Sequence, residues 1–264
     1  MFRRGPDTIW EADCLKDTWN PWHGCRKISE GCAHCYMYRR DLSVGRDPKQ
    51  IEKTADFALP MKKGKNGWKI PDGSSIFACM TSDFFLEQAD SWRAEAWEMI
   101  RARKSVHFFI ITKRVLRIGA CLPPDWGEGW GNVSIGATAE NQKRLDQRLD
   151  EFLALPLKHR FLICEPMLGN IDAEKYLATG KIQRVIAGGE SGPEARELDY
   201  GWVLNLREQC LRTRTDFVFK QTGANFIKDG KRYRLERALQ MPQARRARID
   251  LSWEKNDVGG TRMG

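Results

Sequence analysis

The chain has 264 residues, 41% of them hydrophobic and 30% charged, with a formal net charge of +9. That apolar fraction fills a sizeable core, which excludes a disordered chain, and the length fits one large domain or two small ones. No apolar run reaches the roughly 18 residues that a membrane span needs. The opening residues, Met1 to Pro6, lack the apolar segment of a secretory signal, so a soluble, cytoplasmic protein with no membrane partner is expected.

In chain order, the first feature is a cysteine cluster. Thr18-Trp19-Asn20-Pro21-Trp22-His23-Gly24-Cys25 leads into Cys32-Ala33-His34-Cys35-Tyr36, a C-x6-C-x2-C spacing. In a cytosolic chain such grouping reads as metal binding before it reads as a disulfide framework. Three thiolates suit either a metal ion or an iron–sulfur cluster. Structural zinc needs a fourth ligand, for which His23, His34 and Cys14 are the candidates. The other cysteines are scattered: Cys79 and Cys164 in strand-like runs, Cys121 in a loop and Cys210 in a helical pattern, where packing or exposure explains them. Trp19, Trp22 and Tyr36 either wall off the cluster or stack on a substrate.

Residues 44–74 are polar and rich in Lys, Gly and Pro, which predicts a long surface excursion. From Ser75 onward short apolar runs alternate with amphipathic stretches. Strands are predicted at Ile76–Met80, Val106–Ile111, Val133–Ala137, Phe161–Cys164, Arg184–Ala187 and Phe217–Phe219. Between them, Trp92, Ala96, Trp97 and Ile100, then Leu145, Leu149, Phe152 and Leu153, then Val203, Leu206, Cys210 and Leu211 recur at helical spacing. Continuous apolar runs are the mark of strands buried on both faces, so a parallel α/β barrel or open sheet is expected. Polar groups follow the strands: Thr81-Ser82-Asp83, Thr112-Lys113-Arg114, Thr138-Ala139-Glu140-Asn141, Glu165-Pro166, Gly188-Gly189-Glu190-Ser191-Gly192 and Lys220-Gln221. Such strand ends carry the site in parallel α/β folds. Asp83 and Lys113 also read as a solvated pair or strand-end caps, and the glycine-rich segment as a plain turn.

Residues 226–264 form a basic C-terminal extension with few apolar residues and a glycine-bearing tail expected to fray. The basic residues between Lys228 and Arg248, among them Arg245, Arg246 and Arg248, favour a polyanionic partner such as a nucleic acid, or else form a solvated surface.

Taken together, Thr18-Trp19-Asn20-Pro21, Gly24-Cys25, Cys32-x2-Cys35-Tyr36, Ser82-Asp83, Thr112-Lys113-Arg114, Arg160-Phe161-Leu162 with Glu165-Pro166, and Gly188 to Gly192 resemble the phage Gp37/Gp68 family. These are three-Cys-motif, DUF5131-like proteins, and through them the chain resembles the radical S-adenosylmethionine (SAM) superfamily and spore photoproduct lyase. The commoner spacing there is C-x3-C-x2-C, and the longer first gap here departs from it. The resemblance implies a partial (β/α)6 barrel over residues 1–225, with the cluster loop at 25–35 after the first strand. It implies a [4Fe–4S] cluster on Cys25, Cys32 and Cys35 whose open iron chelates SAM. One electron, from a donor such as a flavodoxin or ferredoxin, then cleaves SAM to a 5′-deoxyadenosyl radical, with a nucleic acid or nucleotide-derived compound as the substrate class. By the same resemblance Ser82, Asp83 and Lys113 hold the methionine end of SAM, His34 takes the place of an adenine-packing aromatic, and Glu165 and Glu190 line the barrel mouth. The alternative is a zinc-stabilised nucleic-acid-binding protein without catalysis.

Overall fold

The computed structural model describes residues 17–254 and 262–263. Seven strands hydrogen-bond into one sheet: β1 (Asp17–Trp19), β2 (Ser75–Ala78), β3 (His107–Thr112), β4 (Val133–Thr138), β5 (His159–Cys164), β6 (Arg184–Gly188) and β8 (Asp216–Gln221), in that order. The pairings β1 with β2, β2 with β3, β5 with β6 and β6 with β8 are all parallel. The protein is therefore mixed α/β with a parallel main sheet. Every residue of β4 and β6 is buried, the reason these strands read as unbroken apolar runs rather than alternating ones.

The predicted helices are α2 (Asp90–Ala102), α3 (Gln142–Ala154) and α4 (Tyr200–Thr213), and an additional one, α1 (Tyr36–Ser43), follows the last cysteine of the cluster. Their starts are set by short polar side chains. Asn141 caps α3 by accepting the Arg144 N–H, and Asp199 caps α4 by accepting the Gly201 N–H. Arg214, left-handed at φ 53°, closes α4.

The described chain forms two compact units. The first holds residues 17–26, 41–136 and 156–159, and the second 27–40, 137–155 and 160 onward. The first has an aromatic core in which Phe84 packs edge-on to Trp97 at 4.8 Å and against Trp22 at 5.3 Å, while Trp19 meets Phe108 at 5.8 Å. The polar stretch 44–74 belongs to it and is less of an excursion than its composition suggests. Phe57 and Ile70 are buried, Trp19 Nε1 donates to the Phe57 carbonyl, and the buried Arg103 guanidinium donates to the carbonyls of Pro60 and Ile70. The second unit buries Leu149, Phe152, Phe161, Val185, Leu206 and Phe217 in an aliphatic and phenyl core.

The basic C-terminal extension is also structured. A three-stranded sheet of β7 (Glu197–Asp199), β9 (Asn225–Lys228) and β10 (Lys231–Arg234) is followed by α5 (Arg237–Arg246). The glycine-bearing tail from residue 255 on lies outside the described residues apart from 262–263, and so does Cys14. Among the described residues no helix is long and apolar enough to cross a membrane.

Candidate functional site

In the first unit the site is built around Cys25. Gly24 precedes it at φ 87°, and a Cβ there would stand 2.1 Å from the Gln50 carbonyl oxygen, so only glycine fits this turn. The Cys25 N–H donates to Pro48 O, and the Ser82 hydroxyl donates to Gly24 O at 2.5 Å. Ser82 thus fastens the cysteine turn by its backbone.

Asp83, which follows β2, is 5% exposed and accepts four hydrogen bonds from its own unit. Thr112 Oγ1 and the Phe85 N–H serve Oδ1, and the Lys113 N–H and Arg114 Nη1 serve Oδ2. Those donors fill the acceptor capacity of a carboxylate. Arg114, 6% exposed, lies 3.3 Å from Asp83, donates to Arg26 O at 2.8 Å and points Nη1 at Cys25 Sγ from 3.9 Å. Burial alone would lower its pKa, but the charges of Asp83, Cys25 and Glu87 outweigh that and raise it. Lys113, beside it, makes no side-chain hydrogen bond or ion pair among the described residues. The sequence points to Lys113, whereas the cation turned toward Asp83 and the Cys25 turn is Arg114. The motif Thr112-Lys113-Arg114 contained the signal, since two adjacent cations after a strand cannot both point inward.

The second unit holds Cys32 and Cys35. Glu140, fully buried, accepts the Gly31 N–H at 3.3 Å on one oxygen and Arg148 Nη1 at 2.7 Å on the other. Glu190 is gripped by Arg196 through both oxygens, at 2.6 and 2.9 Å, and Arg196 Nη1 donates onward to Glu30 O at 2.9 Å. Burial pulls the Glu190 carboxyl upward, but the hydrogen bonds and charge of Arg196 prevail and hold it below the ordinary carboxylate range. Glu165 accepts from Lys220 Nζ at 2.7 Å and Gln221 Nε2 at 2.5 Å. His34 Nδ1 stands 3.5 Å from a Glu194 carboxylate oxygen.

The glycine-rich segment is occupied by the chain itself. A Cβ at Gly189 would meet Thr222 O at 2.3 Å, and one at Gly192 would meet Arg39 Nη1 at 2.0 Å. That guanidinium donates to Ser191 O and His34 O.

No disulfide joins the described cysteines. Cys25, Cys32, Cys35 and Cys121 are part-accessible, whereas Cys79, Cys164 and Cys210 are buried. Burial pushes the thiols of those three upward, with the charges of Asp83 and Cys25 adding to the effect at Cys79, so thiolate is disfavoured there. Cys121 ends a short helical turn, Ile118–Cys121, instead of lying in a loop. His23 Nε2 pairs with Asp41 Oδ2 at 2.6 Å. Among the described residues no three His, Cys, Asp or Glu side chains stand grouped as around a metal ion.

A cavity of about 660 Å³ in the first unit lies at the opposite ends of β2 and β3, against Ser75 and His107. Of the cations on its lining, Arg101 is engaged by Asp125 and Glu98. That end of a parallel sheet ordinarily serves stability.

The fold and these loops define an α/β protein with a parallel sheet and a cysteine-bearing loop fixed by carboxylate–guanidinium pairs. Residues 11–249 match the model of a family described as a protein of unknown function, DUF5131, and the chain belongs to that family. No curated protein and no solved structure matches it.

Proposed function

We propose that this protein is a radical SAM enzyme in which Cys25, Cys32 and Cys35 supply three thiolates to one [4Fe–4S] cluster. The observation that carries the reading is the division among the cysteines. The three on one short stretch are part-accessible, one of them facing a guanidinium; Cys79, Cys164 and Cys210 are buried where a thiolate is disfavoured, and Cys121, part-accessible beside Arg93 and Arg117, stands alone far along the chain. A donor set of accessible sulfurs beside a cation fits a group bound through thiolates. The all-parallel pairings, with β1 immediately ahead of the cysteine loop, agree with a partial barrel of the radical SAM type.

When bound, the cluster supplies the electron that opens SAM to radical chemistry, and the chain's residues orient the reactants and keep water out. An electron donor such as a flavodoxin or ferredoxin is implied. Of the six residues assigned to SAM, Lys113 alone keeps its charged atom unengaged among the described residues, which suits it to meet a carboxylate. Asp83 is better fitted to holding Arg114 against the Cys25 turn. Ser82 fastens Gly24, and Glu165, Glu190 and His34 face partners of their own chain.

Anaerobically purified and reconstituted protein is expected to be brown, to absorb broadly near about 400 nm and to hold about four irons. Each of Cys25→Ala, Cys32→Ala and Cys35→Ala should lose the cluster and SAM cleavage while the sheet stays folded. Lys113→Ala should weaken SAM binding at least about tenfold. A colourless zinc protein, or a single Cys→Ala variant that loads a full cluster and cleaves SAM, overturns the reading.

A further inference from the structure

The C-terminal extension reads in sequence as a run of charge, yet it folds over aromatic side chains. In the β9–β10 hairpin Phe226 stands directly opposite Tyr233, and Lys228 opposite Lys231. Alternation along a strand puts Phe226 and Lys228 on one face, together with their cross-strand partners. Tyr200 at the start of α4 and Phe219 in β8 complete an aromatic wall. Tyr200 lies 5.6 Å from Phe226 and 6.1 Å from Phe219, and Phe219 stacks on Phe226 at 6.3 Å. A cavity of about 570 Å³ opens on this wall, with Lys228 and Arg246 on its lining.

Three features narrow its occupant. Tyr233 is 45% exposed, an aromatic ring left for a partner instead of the core. No acidic residue lines the cavity, and Lys228, Lys231 and Arg246 make no ion pair among the described residues. Two other cations of the extension are engaged within the chain, Arg232 by Glu197 and Arg237 by Gln221. A flat π surface ringed by cations without a carboxylate partner, Lys228 among them resting 5.6 Å from the Tyr200 ring, complements a ligand with a flat aromatic ring and adjacent negative charge. A duplex hides its base faces within the stack, and an acidic peptide offers charge without a ring.

We infer that this cavity binds single-stranded nucleic acid, with an unstacked base against Tyr233 and the aromatic wall and the neighbouring phosphates at Lys228, Lys231 and Arg246. The inference rests on the cavity's own residues, with Lys231 added from its place across the hairpin from Lys228, and not on the cluster reading. Arg245 and Arg248 are exposed and do not line the cavity.

The test uses the full chain and its cluster-free Cys25→Ala variant, with fluorescently labelled single-stranded DNA and RNA 12-mers and the matching duplexes, followed by anisotropy across a salt series. Single strands should bind more tightly than duplexes in both proteins. Tyr233→Ala should weaken binding at least about fivefold without changing the salt slope. Lys228→Ala and Arg246→Ala should each reduce that slope by about 0.7. Arg245→Ala should shift affinity less than Arg246→Ala, and circular dichroism should report an unchanged fold for each variant. The inference fails if no single strand binds at low salt, if duplex binds as well as single strand, or if folded Tyr233→Ala binds like the parent. Because binding is read without the cluster, its failure is distinguishable from failure of the enzymatic reading.

Discussion

The two cysteine-bearing loops are held by the same device at different depths. At Cys25, Asp83 fixes Arg114 and Arg114 donates to Arg26 O; at Cys32, Glu190 fixes Arg196 and Arg196 donates to Glu30 O. In both, a carboxylate just past a strand end aims a guanidinium at a main-chain carbonyl of the loop. The surroundings differ. The Asp83 and Arg114 side chains are 8% and 5% exposed, whereas Arg196 is 31% exposed beside a Glu190 at 6%. A deeply buried pair holds geometry at a high cost of rupture, while a half-exposed one is screened and adjustable. The Cys25 turn is therefore the rigid end of the loop and the Cys32 turn the more compliant one, the latter leaning on Glu140 beneath Gly31 as well.

The sharpest way to break this comparison is to cut the two guanidiniums in parallel. Arg114→Ala leaves Asp83 buried and unpaired and should cost about 3–5 kcal/mol in denaturant unfolding. Arg196→Ala also leaves a buried carboxylate, but Glu190 keeps the main-chain N–H of residue 196 and water enters the gap left by a part-exposed guanidinium, so the loss should be smaller, about 1.5 kcal/mol. Equal losses would show that burial does not separate the two loops.

A smaller contrast concerns the glycines. Gly24→Ala drives a Cβ into the main-chain oxygen of Gln50, which cannot move without dragging the Cys25 turn, on top of a left-handed backbone that costs about 1–2 kcal/mol for a side-chain-bearing residue. Gly192→Ala carries the same backbone cost but meets the far end of Arg39, a flexible side chain that can swing aside. Thermal unfolding should rank Gly24→Ala below Gly192→Ala. The reverse order would place the stiffer turn in the second unit.

A third contrast is in pH dependence, where the first unit carries a limb of its own. Burial, with the neighbouring His159, pushes His107 down to about 4 from its ordinary 6.5. Between those values the unfolded chain binds a proton that the folded chain refuses. Stability therefore rises with pH through that window and is lost as pH falls from about 6.5 toward about 4. His107→Gln should flatten the limb in unfolding curves measured across it. In the second unit the hydrogen bond from Arg144 holds the Glu30 carboxyl down to about 2, so its contribution is lost only as pH falls from about 4.5 toward 2. Because Glu30 is exposed, that second limb should be shallow.

The sequence by itself determined the main sheet from Ser75 onward and its helices. Strands buried on both faces must be continuous apolar runs, and helices with one buried face must repeat at 3 and 4, so His107–Thr112, Val133–Thr138 and α3 were legible from side-chain type alone. It also determined the grouping of Cys25, Cys32 and Cys35. It did not reveal β1, whose Asp17-Thr18-Trp19 is too short and polar to signal a strand and exists because Ser75–Ala78 offers it an edge. The direction of adjacent side chains was equally hidden. Arg114 and not Lys113 turns inward because Asp83 waits 31 residues away to receive it. The aromatic cavity under the basic extension was the least legible feature of all. Tyr200, Phe219, Phe226 and Tyr233 come from four separate elements, and they line one cavity only once the β9–β10 hairpin folds against α4 and β8, a contact that composition records merely as charge.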